Sequence, residues 1–299
     1  MGERVTLIGA GAMGGAIGTR LLETGNSLCV FDLDSEKVAA LVEKGAQSAV
    51  SAAEAAKVSD FVITSLNSAR IVELAVFGEQ GVAAGAAPGT LIIDMSSIDP
   101  DATRDLAQRA EELGFGWVDS PLSGGAPKAL IGELTLMAGG KDQDVARAHD
   151  VLKHVASRYT HMGDSGAGQT TKLINQVLCG LGFLAVAEAV KLAEDAGVDA
   201  ARIPTALQGG RADSALLQEY GPRFAIRDYR RTGRIDNMVK DLNAVNDLAR
   251  QTGTSMPMTS LCAELHRMLT AAGLGGEDQA AVMEFFEGPK PLSDGAKSA

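Results

Sequence analysis

Short apolar runs, each closed by a glycine or a polar turn, alternate with amphipathic stretches over the first half of the chain. The run at 5–8 ends in glycine and reads as a buried strand. Residues 13–23 follow at helical spacing and stop at Gly25-Asn26. Strand-like runs recur at 28–31, 60–64, 90–94, 116–119 and 133–137, with helical stretches such as 35–44 between them. This alternation over about 160 residues predicts an α/β class with a parallel, doubly wound sheet. After Gly163 the strand signal all but vanishes. Residues 172–196 are apolar nearly all round, which predicts a buried helix. Further helical patterns cover 200–207, 213–220, 235–252, 258–272 and 278–286. The chain therefore reads as an α/β domain at 1–163, an all-helical domain at 164–287, and a Pro-, Gly- and Ser-rich tail at 288–299 that is expected to fray.

Composition narrows the partners. A hydrophobic content of 45% supports a real core, while 4% aromatics and a net charge of −11 argue against a nucleic-acid binder. The three cysteines, Cys29, Cys179 and Cys262, stand far apart in apolar runs without metal spacing; they read as small core residues, and no metal site is expected. The N-terminus leads straight into a strand pattern, and the apolar run at 177–187 stops at Glu188, too short to span a bilayer. The expectation is a cytoplasmic protein with no membrane partner.

The turn Gly9-Ala10-Gly11-Ala12-Met13-Gly14 follows the first strand and opens the first helix. In that context Gly9 permits the tight turn, Gly11 lets the backbone approach a pyrophosphate, and Gly14 lets helix pack on strand. The helix N-terminus offers free N–H groups to the phosphates. The domain is thus a Rossmann-type dinucleotide binder. Asp32 ends the second strand, where a carboxylate accepts hydrogen bonds from ribose hydroxyls and repels a 2′-phosphate. No arginine follows it closely, which favours NAD over NADP. The segments Ser65-Leu66-Asn67 and Met95-Ser96-Ser97 end later strands and should face the same crevice, although loop capping alone would also explain them.

Two segments carry candidate chemistry. In Asp119-Ser120-Pro121-Leu122-Ser123-Gly124-Gly125, the serine and glycines form a turn whose N–H groups are open to an anion such as a substrate carboxylate. On its own such a turn is more often only a turn. In the segment from Gly166 to Asn175, Lys172 and Asn175 are three apart and share a helix face. A lysine near the positive end of a helix dipole, partly desolvated, is disfavoured as an ammonium and can exchange a proton near neutral pH. Spacing alone fits a lysine that merely snorkels at a helix end slightly better.

With these residues in place, the chain resembles the β-hydroxyacid dehydrogenases from Val5 to about Phe286. The resemblance rests on four motifs in order: the glycine turn, residues 119–125, residues 166–175, and Met238-Val239-Lys240-Asp241-Leu242. It implies that Lys172 is the catalytic lysine and that Ser123, Gly124, Gly125 and Asn175 contact the substrate carboxylate and hydroxyl, with Asn175 fixing the reacting oxygen. It also places Ser97 near the nicotinamide ribose and Lys240 against the cofactor, with Leu66 and Asn67 in a cofactor loop. It implies a homodimer or homotetramer joined through the helical domain. Two departures stand out: Ser65-Leu66-Asn67 replaces the usual Met-Leu-Pro, and Gly233 replaces a frequent Phe. Arginines 223, 227, 230, 231 and 234 read mostly as a solvated face, with one able to reach a substrate anion.

Residues 123–129 are similar to the tartronate semialdehyde reductase branch, where Pro-Lys-Ala also follows, and L-threonate dehydrogenases carry a lysine there too. Lys128 would add a cation for a polyhydroxylated acid; an exposed loop lysine is the alternative. The implied reaction is hydride exchange between NAD and a small hydroxy acid, D-glycerate with tartronate semialdehyde first, L-threonate or 3-hydroxyisobutyrate as alternatives. An imine reductase on this scaffold would lack Lys172, and a non-catalytic NAD-binding reader of nucleosomes would need a fused module.

Overall fold

A computed structural model describes residues 2–287 of the 299-residue chain; the tail expected at 288–299 lies outside the described residues. The chain divides into two compact units between Lys172 and Leu173. The first unit runs β1 (Arg4–Ile8), α1 (Ala12–Glu23), β2 (Ser27–Phe31), α2 (Ser35–Val42), β3 (Gln47–Ser48), α3 (Ala52–Ala56), β4 (Phe61–Thr64) and α4 (Ala69–Phe77). It continues through β5 (Leu91–Asp94), α5 (Pro100–Glu112), β6 (Gly116–Asp119), β7 (Leu122–Ser123), α6 (Gly125–Leu130), β8 (Leu134–Gly140), α7 (Asp142–Leu152) and β9 (Ala156–Gly163).

The strands form one sheet in the order β3-β2-β1-β4-β5-β6-β8-β7, with β9 against β8. The pairs from β3 through β6 are parallel, as the alternation predicts. Beyond β6 the sheet departs from it: β8 runs antiparallel to β6 and β7 and parallel to β9. Hydrophobic periodicity carries no strand direction, so this edge is invisible to it. Both faces are covered. Leu7, Val30, Ile63 and Ile93 pack with Ile17 and Leu21 of α1 on one side. Ile8, Val62, Ile92 and Trp117 pack with Val72, Val76 and Leu106 on the other. Burial on both faces is why the strands read as near-continuous apolar runs.

Four helices here supply their own N-cap: Asp34, Ser51, Ser68 and Asp99 each accept an N–H from the first turn that follows. Helix α8 (Ala167–Asp195) cannot, because Gly166 precedes it. The cap comes from the sheet. Asp119, fully buried at the end of β6, accepts from the N–H of Gly166 at 2.8 Å and of Gln169 at 2.9 Å. Gly168 permits the approach, since a Cβ there would lie 2.4 Å from the Met137 carbonyl. Lys172 consequently stands in the second turn of α8, not at its first residue.

A second buried carboxylate lies next to the first, with Asp94 paired in register to Asp119. Its Oδ1 accepts from the Thr64 hydroxyl at 2.8 Å and the Ser96 N–H at 3.0 Å, while Oδ2 is buried with no hydrogen-bond partner among the described residues. Burial pushes the Asp94 carboxyl up to about 6, and burial also raises that of Asp119.

The second unit holds the rest of α8 with α9 (Ile203–Leu207), α10 (Ala215–Ala225), α11 (Ile235–Thr252), α12 (Pro257–Leu269) and α13 (Met283–Phe286). Its core gathers Phe183, Ala187 and Val190 of α8 with Leu217, Phe224, Met238, Leu242 and Cys262. Helix α8 is long and apolar enough, by length and composition, to cross a membrane. Here one face of it serves this core and the other does not: Ile174, Leu178 and Leu192 are more than half exposed. The expectation of burial all round is thus corrected. The arginine crowd splits: Arg230, Arg231 and Arg234 are exposed, as expected of most of the group, and the other two are not. Arg223 is buried and donates to Asp278 at 2.9 Å, and Arg227 bridges Glu194 and Glu287. Arg230 pairs with Asp228, and Arg234 with Asp236. Asp278 in turn accepts from the Thr232 and Gly233 N–H groups, so this network shapes the loop entering α11.

Two outcomes follow. Asp119→Ala removes the acceptor for two buried N–H groups and should cost about 1–3 kcal/mol, read as a lower denaturant midpoint at unchanged slope; Asp119→Asn, keeping one acceptor oxygen, should cost less. For Asp94, the native state keeps a proton that the unfolded chain releases between 3.8 and about 6. Its contribution to stability therefore falls as pH rises through that window. The stability difference between Asp94→Asn and the parent should shift in the variant's favour across the window and then level off; a flat difference would contradict this.

Candidate active site

The glycine turn has the geometry its spacing predicts. Gly9 adopts φ +96°, outside the range comfortable for other residues, and donates its N–H to the Phe31 carbonyl at 2.9 Å. A Cβ on Gly14 would lie 1.9 Å from the Gly9 carbonyl oxygen. At Gly11 a Cβ would meet no protein atom within 4 Å, so the space before the N-terminus of α1 is open. The turn thus fits a dinucleotide pyrophosphate by shape and by its N–H groups. Ala12 is exposed at the mouth, whereas Met13 packs partly against the core. A pocket of about 390 Å³ beside the turn is lined by Gly11, Ala12, Thr19, Lys37, Lys44 and Ala126, among others.

Asp32 is held toward this turn. Its Oδ2 accepts the Ala10 N–H at 2.6 Å and its Oδ1 the Asp34 N–H at 2.8 Å. Lys37, which sequence reasoning passed over, lies near enough to feel the Asp32 charge, but its ammonium is paired with Asp34 at 2.9 Å.

The loops after β4 and β5 sit together. The Ser96 hydroxyl accepts the Leu66 N–H at 2.9 Å, and a Cβ on Gly9 would meet the Ser65 carbonyl at 2.5 Å. Leu66 therefore flanks the turn, Asn67 is exposed, and Ser97 is half-buried. Of the two serines in the segment 95–97, Ser96 takes the loop-capping role that was the alternative reading there. Ser96 carries the structural bonds, and Gln169 of α8 fastens its loop by donating to the Ser96 carbonyl at 2.8 Å and accepting the Ile98 N–H at 3.2 Å.

Ser123 ends β7, and Gly124 and Gly125 follow with positive φ of 122° and 70°. These angles turn the chain sharply into α6. Lys128 is half-exposed and bridged to Glu133, so it is not an isolated cation.

Lys172 and Asn175 lie one turn apart on α8, both half-buried. Asn175 donates to the Gln176 side-chain oxygen at 2.8 Å. Gln176 donates to Asp241 of α11 at 2.6 Å, and Lys240 pairs with Asp241 at 3.4 Å. Gln176 and Asp241 also escaped sequence reasoning. Gln176 lies one residue beyond the segment 166–175 and Asp241 inside 238–242, but a polar residue's partner across two helices leaves no spacing signal.

Comparison with known proteins agrees with this geometry. The model for the NAD binding domain of 6-phosphogluconate dehydrogenase matches residues 4–163, and that for the NAD-binding domain of NADP-dependent 3-hydroxyisobutyrate dehydrogenase matches 166–286. L-threonate dehydrogenase of Cupriavidus necator is 33% identical over 96% of this chain and 97% of its own length. The 2-hydroxy-3-oxopropionate reductase of Escherichia coli is 32% identical over 95% and 97%. The crystal structure of a 3-hydroxyisobutyrate dehydrogenase from Salmonella typhimurium superposes with a TM-score of 0.85 at 32% identity, covering 94% of this chain and 99% of that one. With a glycine turn built for a dinucleotide, and relatives matched over nearly their whole length, the chain belongs to the 3-hydroxyisobutyrate dehydrogenase-like family of β-hydroxyacid dehydrogenases, NAD-binding oxidoreductases that act on CH–OH groups.

Proposed function

We propose that this chain interconverts D-glycerate and 2-hydroxy-3-oxopropionate with NAD, using Lys172 as its proton-transfer residue. The observation that carries the reaction is the placement of Lys172 and Asn175 on one face of a helix whose start is pinned by Asp119. NAD held by Gly9, Gly11, Ala12, Gly14 and Asp32 would accept the hydride on oxidation and donate it on reduction. Lys172 Nζ takes the hydroxyl proton on oxidation and returns it on reduction. The Ser123 hydroxyl and the N–H groups of Gly124 and Gly125 hold the carboxylate, and Asn175 contacts the substrate's oxygen functions. Lys240 and Ser97 assist at the cofactor. Fixing the reacting carbon in place supplies much of the rate.

The choice of D-glycerate is supported by residues 123–129, which are similar to the tartronate semialdehyde reductase branch. L-threonate is a second reading, because the relative that acts on it is 33% identical along almost the whole chain. The ion pair of Lys128 with Glu133 is exposed and weak, so a substrate anion could draw Lys128 away from it at little cost. We assign the protein to the cytoplasm as a homodimer or homotetramer joined through its helical unit, supported by the open apolar stripe of Ile174, Leu178 and Leu192 on α8. Sedimentation showing only monomer would exclude that assembly.

A panel of D-glycerate, L-threonate, 3-hydroxyisobutyrate, L-serine and 3-hydroxypropionate, followed by NADH formation, should give the highest kcat/KM with D-glycerate; no turnover of any of them would sink the reading. Lys172→Ala should lower turnover by ~10²-fold or more with NAD affinity nearly intact; wild-type turnover in that variant would remove Lys172 from the mechanism. Asp32→Asn should weaken the preference for NAD over NADP by ~10-fold or more, because a like charge facing the 2′-phosphate is gone. An unchanged cofactor ratio would show that Asp32 does not discriminate.

A further inference from the structure

The side-chain amides of Asn175 and Gln176 are oriented by a group two helices can share. A carboxylate accepts hydrogen bonds and does not donate them. Asp241 Oδ2 therefore requires the Gln176 amino group, which reaches it at 2.6 Å. That choice turns the Gln176 oxygen toward Asn175, and this oxygen in turn requires the Asn175 amino group, at 2.8 Å. The second hydrogen of the Asn175 amino group is directed to the Cys179 sulfur at 3.5 Å. Gln176 is 9% exposed and the Asp241 side chain 15%, so water competes poorly for these bonds. The outcome is that Asn175 Oδ1, which accepts no hydrogen bond from any described residue, is the atom left to a ligand.

This polarity has a chemical consequence, which rests on the reading above that Asn175 touches substrate. An oxygen acceptor cannot hold the carbonyl oxygen of the oxidised substrate, since neither carries a proton. Nor can it hold the reacting hydroxyl while that hydroxyl's single proton is directed to Lys172. It can hold a different donor. We propose that Gln176 is a positioning residue: pinned by Asp241, it fixes the Asn175 amide so that the substrate site presents an acceptor, selecting acids that carry a second hydrogen-bond donor, a hydroxyl or an ammonium, beside the carboxylate. Under this assignment Asn175 recognises a non-reacting group and does not fix the reacting oxygen.

D-glycerate and 3-hydroxypropionate form a matched pair, because they differ only in the hydroxyl next to the carboxylate. The ratio of their kcat/KM values at saturating NAD should favour D-glycerate by ~10-fold or more. Gln176→Leu breaks the relay, and Asp241→Asn lets both amides reverse. Each should lower the ratio by ~10-fold, with the loss falling mainly on the KM for D-glycerate. A merely structural role for Gln176 would depress both acids alike and leave the ratio where it was. An unchanged ratio in both variants, with thermal melts showing folded protein, overturns the proposal. If Gln176→Leu fails to fold, Asp241→Asn alone decides. Absence of turnover by the parent protein with the whole panel would instead overturn the reading on which the proposal rests, and Lys172→Ala would then change nothing.

Discussion

Helix α8 begins directly on the carboxyl edge of the sheet, and the Asp119 carboxylate holds it there through the N–H groups of Gly166 and Gln169. Removing a charge from water is costly, and only donors aimed at both oxygens offset that cost. The helix start supplies those donors, and its dipole favours the same charge. The arrangement is reciprocal: a helix preceded by glycine has no side-chain cap of its own, and a carboxylate buried at a strand end has no water. Each solves the other's deficit. Because Lys172 lies in the second turn from this anchor, its distance along the helix from the sheet edge is set by Asp119. Gln169, one turn before Lys172, fastens the loop holding Ser96 and Ser97 to the same helix.

The same principle, a buried acid satisfied by donors from separate elements, recurs in the helical unit. Asp278 collects Arg223 and the N–H groups of Thr232 and Gly233, which fixes the approach to α11. Asp241 on α11 then orients Gln176 on α8. In a chain with so few aromatics, helices lie close on small residues such as Gly180, where a Cβ would meet Leu242 at 3.2 Å. Close packing sets distances between helices but carries little information about direction. Carboxylates with several donors supply it.

How far the sequence discloses this can be judged element by element. Strands β1, β2, β4, β5 and β6, the glycine turn and the place of Asp32 at the end of β2 were legible, because apolar runs and glycine spacing are local signals. Elements with weak local signal were not: β3 and β7 are two residues each, and the direction of β8 depends on pairing across the sheet. Lys172 and Asn175 stand out as candidates through shared helix face and family likeness, while the start of α8 does not show because its first turn is small and polar and its cap lies about fifty residues away in Asp119. Arg223 and Arg227 could not be told from their exposed neighbours, because charge density alone does not reveal Asp278, Glu194 or Glu287 as partners. What escapes the sequence here is the set of polar contacts between distant segments, and these orient the candidate site.

In the reaction proposed for this chain, hydrogen passes directly between an alcohol carbon and NAD. D-glycerate deuterated at C3, incubated with unlabelled NAD and the full-length protein, tests it most directly. Deuterium should appear at C4 of the nicotinamide in one product molecule per substrate oxidised, and it should require Lys172. NADH formed without label, or labelled only from heavy water, would contradict it.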